Sequence, residues 1–264
     1  MNQVMQKSGV MTWWLRGMAL ALAGTVSGQA ALIGFYPFEG NANDVSGSGN
    51  DGTPGPNPPT VAAGGYEGSA YQFTAANNNY LTVPINLNPA SLPQVTFGAW
   101  FKASTIGASG SVRGLISHDN GGFDRTLDLD TRGGSGLRWS AFSGVGVLGG
   151  SPVVADAWTF VAVRYDSAAG TVVLNVDGVQ YSTAGTPGSS SRTTTTIGRN
   201  PGFDQPFDGL IDNVFFFDEV LSDARVEEIR LGGASAIVPE PGQWAWAGGL
   251  GALGVALARR RRGG

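Results

Sequence analysis

Two acidic residues two positions apart, Asp128 and Asp130 in TLDLDT, are the first candidates for chemistry in this sequence. Residues i and i+2 of an extended strand lie on the same face. Two adjacent carboxyl groups can serve as a general acid and base, or can bind a cation. We predict instead that both face solvent or a polar sheet surface, because they alternate with the apolar residues Leu127 and Leu129.

A second polar group lies in the loop GNANDVSGSGND, residues 40–51. Ca²⁺ takes six to eight oxygen ligands from carboxylates, amides, backbone carbonyls and water. The side chains of Asp44, Asn50 and Asp51 offer such oxygens, and the glycines allow turns that free carbonyls. The alternative is that these residues only form turns through side-chain to backbone hydrogen bonds.

Aromatic residues could form a sugar-binding surface, because their apolar faces stack on sugar rings. Trp100, Trp139 and Trp158 lie in apolar runs, so we predict that all three belong to the core. Phe203, in PGFDQPF, is the better candidate for an exposed ring. His118 is the single histidine of the chain, and we predict a loop residue at a strand end rather than a catalyst.

The composition excludes several classes of protein. There is no cysteine, so neither disulfides nor thiol chemistry is available. Ten basic and 19 acidic residues lie between Ala31 and Val238, a formal balance of −9, which argues against a nucleic-acid surface. The 42 glycines and 14 prolines indicate frequent turns and few long helices.

Short runs rich in β-branched and aromatic residues predict an all-β fold. Asp177-Gly178 predicts a two-residue hairpin turn. The segment LSDARVEEIRLGG predicts one helix, capped by Ser222 and ended by Gly232-Gly233. We therefore predict one antiparallel two-sheet jelly-roll sandwich with a short C-terminal helix. The predicted strands are 32–38, 69–74, 79–85, 94–103, 113–119, 125–131, 136–142, 157–166, 170–178, 179–184, 192–199 and 207–218.

The N-terminal residues 1–30 have the pattern of a secretory signal peptide. Lys7 and Arg16 give a positive start, residues 17–26 form a short apolar stretch, and small residues precede a predicted cleavage after Ala30.

The C-terminal residues 234–264 contain an apolar stretch at 244–258, between a Pro-Glu-Pro motif and four arginines. As a helix this stretch would be about 22 Å long, short of a hydrocarbon core of about 30 Å. The arginines would hold its end on the cytoplasmic side. The alternative is an ordinary C-terminal anchor helix. The motif residues are Pro239, Glu240, Pro241, Arg259, Arg260, Arg261 and Arg262.

This order of motif, apolar stretch and arginines resembles the PEP-CTERM sorting signal of Gram-negative bacteria. The resemblance implies recognition by an exosortase, cleavage near the Pro-Glu-Pro motif and only transient residence in the inner membrane. The processed protein would then reach the cell surface or the exopolysaccharide matrix.

The body of the chain, residues 31–233, resembles the laminin-G-like, concanavalin A-like jelly roll. The resemblance lies in FYPFEGNANDVSGSGNDGT, VTFGAWFK, WTFVAVRYD, VVLNVDGV, TTIGRN and FDGLIDNVFFFDEVLSDARVEEI, which occur in that order. In this fold the first and last strands are neighbours. The resemblance thus implies that Asp212 completes a Ca²⁺ site with Asp44 and Asn50, with Asp51 and Asp208 as further candidates.

The fold implies little about function, because it hosts lectins, adhesion modules and hydrolases. Our first hypothesis is a secreted, non-enzymatic module that binds polysaccharide or a surface protein. The second is a polysaccharide hydrolase or lyase, although the Glu-x-Asp-x-x-Glu motif of the β-glucanases of this fold is absent. The third is a structural matrix protein without a specific ligand.

Overall fold

The computed structural model describes residues 30–104, 112–203 and 205–238. Within these ranges the chain forms 17 strands, one α-helix, α1 (Asp223–Ile237), and one short 3-10 helix (Ala75–Asn77). The strands are β1 (Leu32–Tyr36), β2 (Thr53–Pro54), β3 (Thr60–Ala63), β4 (Ser69–Phe73), β5 (Leu81–Val83), β6 (Gln94–Ala103), β7 (Val112–Ser117), β8 (Thr126–Asp130), β9 (Arg138–Phe142), β10 (Val147–Pro152), β11 (Trp158–Asp166), β12 (Thr171–Val176), β13 (Val179–Ala184), β14 (Thr195–Ile197), β15 (Arg199–Asn200), β16 (Gln205–Pro206) and β17 (Gly209–Phe217).

Two antiparallel sheets face each other. The first has the order β13-β12-β11-β6-β17-β4-β3, and β1 pairs with the second half of β17. The second has the order β10-β9-β8-β7-β14-β5-β2. A short pair, β15–β16, which we call the ribbon, forms a third small sheet outside these two.

The main core lies between the two sheets, and alternation along the strands fills it. Leu127 and Leu129 of β8 are fully buried there, with Trp139 of β9 beside them. The Trp139 ring lies 5.9 Å from the ring of Phe101 in the opposite sheet. Burying large aromatic rings supplies much of the apolar area that stabilises such a sandwich.

Helix α1 covers the outer face of the first sheet. Ser222 begins it as predicted, because its side chain accepts a hydrogen bond from the Arg225 N–H at 3.2 Å. Trp100 is buried beneath this layer, and Trp158 packs against it half-buried. The predicted end at Gly233 is a kink, where φ is +59°, and the element continues to Ile237.

The predicted two-sheet sandwich with a short C-terminal helix is confirmed. The hairpin at Asp177-Gly178 is also confirmed, since both residues have positive φ, +48° and +86°. The predicted strand 192–199 is divided at Gly198, whose φ of +92° separates β14 from β15. The prediction missed β2, β3, β10 and β16. In β10 a Gly-Gly pair hides the alternation that marks a strand.

The predicted signal peptide and sorting signal lie outside the described residues, apart from Ala30 and residues 234–238. In the part of the chain that the structure describes, no helix has the length and apolar character needed to cross a membrane.

Candidate functional site

The outer face of the second sheet carries the ribbon, and Gly114 allows the two to meet. Gly114 of β7 pairs with Asp128 of β8, so both lie on this outer face. A Cβ atom on Gly114 would lie 2.2 Å from the backbone nitrogen of Asn200. Only a residue without a side chain lets the ribbon pack this closely on the strand.

Asp128 and Asp130 lie beneath the ribbon and its neighbouring loops. The expectation that they face away from Leu127 and Leu129 is confirmed. Of the two predicted environments, solvent or a polar sheet surface, solvent is excluded, because neither residue has any accessible surface. Both carboxyl oxygens of Asp128 lack a hydrogen-bond partner among the described residues. Burial and the nearby Asp130 charge raise the pKa of Asp128 well above its usual range.

Asp130 holds the side chain of Arg132 in one position. The Arg132 Nε lies 3.0 Å from each Asp130 oxygen, and Nη2 lies 2.6 Å from Oδ2. The guanidinium carbon lies 5.4 Å from the Phe123 ring centroid and 5.5 Å from that of Phe142. The side chain keeps 44% of its surface exposed. Arg132 is therefore a rigid, partly exposed donor.

The loop between β7 and β8 forms one wall of the site and is organised by Asp119. Its Oδ1 accepts hydrogen bonds from the N–H groups of Gly121 and Asp124, at 3.1 and 3.2 Å. Phe123 has a φ of +59°, a strained conformation for a bulky side chain. Such strain costs of order 1–3 kcal/mol and is frequent at ligand sites.

The ribbon forms the opposite wall. Asn200 Nδ2 donates to Asp119 Oδ2 at 2.9 Å and to Gln205 Oε1 at 3.2 Å, which ties the two walls together. Phe203, in the connecting turn, is 53% exposed, so the predicted exposed ring is confirmed.

Together these segments enclose a cavity of about 210 Å³, which we call the ribbon pocket. It combines aromatic faces with convergent donors and acceptors, the composition expected of a small-molecule site. Its volume is below the roughly 300–1,000 Å³ of pockets for drug-sized ligands, so it suits one small ring. The lining residues are Asp119, Gly121, Gly122, Phe123, Arg132, Phe142, Asn200, Phe203 and Gln205.

Gly114→Ala should open this site without changing a lining residue. The new Cβ would collide with backbone atoms of the ribbon at 2.2–2.8 Å, and backbone cannot rotate away as a side chain can. We expect a loss of about 1–3 kcal/mol in the free energy of unfolding, measured with denaturant. Gly146→Ala, where nothing lies within 4 Å of the new Cβ, is the control. Equal stability of both variants would contradict the packing described.

The predicted calcium ligands Asp44 and Asn50 brace the N-terminal loop. Asp44 Oδ1 accepts from Phe35 and Ser46 N–H groups at 2.9 Å, and Oδ2 accepts from the Asn50 N–H at 2.9 Å. Although burial raises it, these hydrogen bonds together hold the pKa of Asp44 below its usual value. The Asn50 side chain donates to the Ile33 carbonyl at 2.7 Å. The backbone therefore already occupies most of these ligand atoms.

Asp212 lies elsewhere, on the outer face of the first sheet. Its Oδ2 accepts from the Glu67 N–H at 3.0 Å, whereas its buried Oδ1 has no described partner. Burial, with a smaller contribution from the Glu39 charge, raises the pKa of Asp212 to about 7. This one oxygen fits a cation ligand. Of the further candidates, Asp51 accepts from the Asp44 N–H, and Asp208 from the Ala75 N–H.

Among the described residues, no group of three or more His, Asp or Glu side chains could hold a metal ion. No hydrogen bond or ion pair among them joins Asp44 or Asn50 to Asp212. The calcium site therefore stays a prediction, in which Asp212 is the ligand that the geometry favours.

Calcium at Asp212 should raise the melting temperature of the protein. At a concentration one hundred times the dissociation constant, the stabilisation is about 2.7 kcal/mol, a shift of several degrees. Asp212→Asn should abolish this shift, and Glu228→Gln, on the exposed side of α1, should keep it. If the wild-type protein shows no shift in a thermal titration with CaCl₂, the calcium prediction is wrong.

His118 and three residues of the ribbon pocket show where the sequence-based prediction of the site was incomplete. His118 follows β7 in a loop, as predicted, but it is buried and does not line the pocket. Sequence reasoning missed Phe123, Arg132 and Gln205. One signal could have found two of the walls, because the tripeptide Gly-Phe-Asp occurs in both GGFD, residues 121–124, and PGFD, residues 201–204.

Solved structures share this architecture at low sequence identity. Domain 4 of AbnA, an extracellular arabinanase from Geobacillus stearothermophilus solved with arabinotriose, is 22% identical, with a TM-score of 0.59 over 76% of this chain and 99% of that one. The botulinum neurotoxin serotype D binding domain is 16% identical, with a TM-score of 0.57 over 77% of this chain. The binding domain of Paraclostridial Mosquitocidal Protein 1 is 12% identical, with a TM-score of 0.60 over 76% of this chain. This chain spans 52% of each of the two toxin domains.

Comparison with curated proteins finds no match. The family model Laminin_G_3 matches residues 75–227, which include most strands of both sheets and both walls of the ribbon pocket. The chain belongs to this family, described as the concanavalin A-like lectin/glucanases superfamily.

Proposed function

We propose that this protein is a secreted, non-enzymatic module that binds carbohydrate in the ribbon pocket. The single observation that carries the proposal is the convergence of the exposed Phe203 ring with Arg132, Asp119 and Gln205 around a small cavity. Aromatic faces edged by fixed hydrogen-bonding groups suit sugar rings, which have apolar faces and polar edges. The arabinanase domain solved with arabinotriose, which has the same fold, supports this choice over a protein ligand.

An enzymatic role has less support. Asp128 and Asp130 are fully buried, and Arg132 already neutralises Asp130. A general acid or base must come within hydrogen-bond reach of the substrate atom to which it gives, or from which it takes, a proton. The hydrolase or lyase alternative would gain support if the protein released reducing sugar from bacterial exopolysaccharide.

The test is a glycan array that includes arabinotriose, with the wild-type protein and Phe203→Ala. We expect binding of at least one oligosaccharide, and a loss of tenfold or more in affinity for Phe203→Ala, because stacking on an exposed ring is lost. Leu231→Ala is the matched control, since Leu231 is 68% exposed on α1, on the opposite face of the sandwich. Absence of binding to every glycan would refute the proposed function.

We further propose that export uses the predicted terminal signals. Removal of residues 1–30 and cleavage near Pro239 by an exosortase would place the module on the cell surface or in the exopolysaccharide matrix. The mass of the protein recovered from the culture matrix tests this proposal, because the full-length mass would contradict both processing steps. The same measurement in cells that lack the exosortase should show the C-terminal segment retained.

A further inference from the structure

The charges around the ribbon pocket restrict what it can bind. Among the described lining residues, the ionic side chains are Asp119 and Arg132. Arg132 gives both Nε and Nη2 to Asp130, which is fully buried, so its positive charge is already balanced. The lining therefore offers no unbalanced positive charge to an acidic ligand.

Charged groups of both signs lie behind the lining. Asp124 lies next to Asp119 and accepts a hydrogen bond from the Asn120 N–H at 3.2 Å. Two cations lie behind this wall: Arg192, which donates its Nε to the Asp119 carbonyl at 3.0 Å, and the buried Arg125 at the end of the loop. A carboxylate ligand would thus be repelled by Asp119, in a partly enclosed site where such repulsion is weakly screened.

The hydrogen-bonding groups that remain free are suited to hydroxyls. Arg132 Nη1 and Gln205 Nε2 have no acceptor among the described residues. Asp119 Oδ2, which takes one described hydrogen bond, from Asn200, can accept another. Donors and an acceptor on facing walls match adjacent sugar hydroxyls, each of which can donate and accept.

We propose that the ribbon pocket selects one uncharged monosaccharide unit and rejects uronic acids, with Asp130 as the positioning residue that sets this selectivity through Arg132. The proposal rests on the carbohydrate-binding function proposed above. It adds the ligand class, and it assigns the selectivity to a buried carboxylate that does not itself line the pocket.

The experiment compares matched pairs of glycans that differ only at C6. Uronic-acid oligosaccharides and their carboxyl-reduced, neutral counterparts are placed on one array, beside a broad panel of neutral oligosaccharides. We expect the wild-type protein to bind neutral members, and to bind each corresponding uronic acid at least tenfold more weakly. Uronic acids bound as well as their neutral partners would overturn the inference and leave carbohydrate binding intact. Binding to no glycan would refute both.

Asp130→Asn separates a selectivity role from a merely structural one. It is nearly isosteric, and it releases the positive charge of Arg132 towards the pocket. The ratio of uronic-acid to neutral affinity should rise by tenfold or more, whereas simple damage to the site would lower both affinities together. Glu228→Gln removes the same charge from the opposite face and should leave the ratio unchanged. A ratio that stays constant in a folded Asp130→Asn protein would overturn the assignment.

Discussion

Replacing Arg125 by alanine should destabilise this protein severely. The Arg125 side chain is 1% exposed, and four oxygen acceptors surround its guanidinium. Nη1 donates to the carbonyls of Leu87, at 3.0 Å, and Leu92, while Nη2 donates to the carbonyl of Pro93, at 3.0 Å, and to Ser167 Oγ, at 2.7 Å. One side chain thus ties together the loop before β6, the start of β8 and the turn after β11.

The Arg125 guanidinium stays charged in the protein interior, so its burial is tolerated only because these acceptors solvate it. Burial lowers the pKa of Arg125 to about 10, so the group stays protonated at neutral pH. The Tyr165 ring, whose centroid lies 5.4 Å from the guanidinium carbon, provides a further favourable contact. Alanine would leave the carbonyls of Leu87 and Leu92 without a donor, while that of Pro93 would keep the Ser167 N–H, and it would also create a cavity.

We expect Arg125→Ala to lose about 3–5 kcal/mol in the free energy of unfolding, because it removes four buried hydrogen bonds from a charged donor and leaves a cavity. For a domain of this size the melting temperature should fall by roughly 6–20 °C, measured by thermal denaturation. Arg125→Lys should lose most of this too, since one ammonium cannot reach all four acceptors.

Arg230→Ala is the matched control for this prediction. Arg230 pairs with Glu227 on α1, and their side chains are 26% and 43% exposed. Such a surface ion pair contributes at most about 1 kcal/mol, because solvent screens it. If Arg125→Ala were as mild as Arg230→Ala, the buried network would have no structural importance.

How far the sequence predicts this molecule depends on how local each feature is. The Asp177-Gly178 turn and the Ser222 cap were predictable, because the few residues around them determine both conformations. Alternation placed Leu127 and Leu129 in the core for the same reason. The turn and the alternation indicate a β fold, and the cap indicates its one α-helix, without knowledge of the tertiary structure.

The candidate site was less predictable, because distant segments assemble it. Asp119 and Asn200, 81 positions apart, form one hydrogen bond across the pocket. The burial of Asp128 depends on the ribbon, which can cover the strand only because Gly114 lacks a side chain. The alternation in β8 predicts which residues face outward. It does not predict whether another segment covers that outer face, so the burial of Asp128 could not be predicted from it.

His118 should make the stability of this protein fall as the solution is acidified. The ring is 1% exposed, and Nε2 has no hydrogen-bond partner among the described residues. Burial, together with the positive charges of Arg192 and Arg125, lowers the pKa of His118 to about 4, against an ordinary value of 6.5. The folded protein thus keeps this imidazole neutral where the unfolded chain would protonate it.

The sign and size of the effect follow from proton linkage. Between pH 6.5 and about 4 the unfolded chain binds the proton and the folded protein does not, so the free energy of unfolding decreases as pH falls. A shift of this size corresponds to about 3 kcal/mol across that window. Asp128 acts in the opposite direction, because its raised pKa makes the folded protein lose stability as pH rises above 3.8.

Two variants separate these opposing contributions, with urea unfolding measured at pH values from 4 to 7. The free energy of unfolding of the wild-type protein, minus that of His118→Phe, should decrease by about 3 kcal/mol from pH 7 to pH 4. The variant also loses the hydrogen bond to the Arg192 backbone, which adds a constant difference at every pH. The free energy of unfolding of Asp128→Asn should instead increase relative to that of the wild-type protein as pH rises, because the amide cannot ionise. Parallel stability curves for His118→Phe and the wild-type protein would show that the buried imidazole is protonated equally in both states. Neither burial nor the nearby arginine charges would then lower the pKa of His118 in the folded protein.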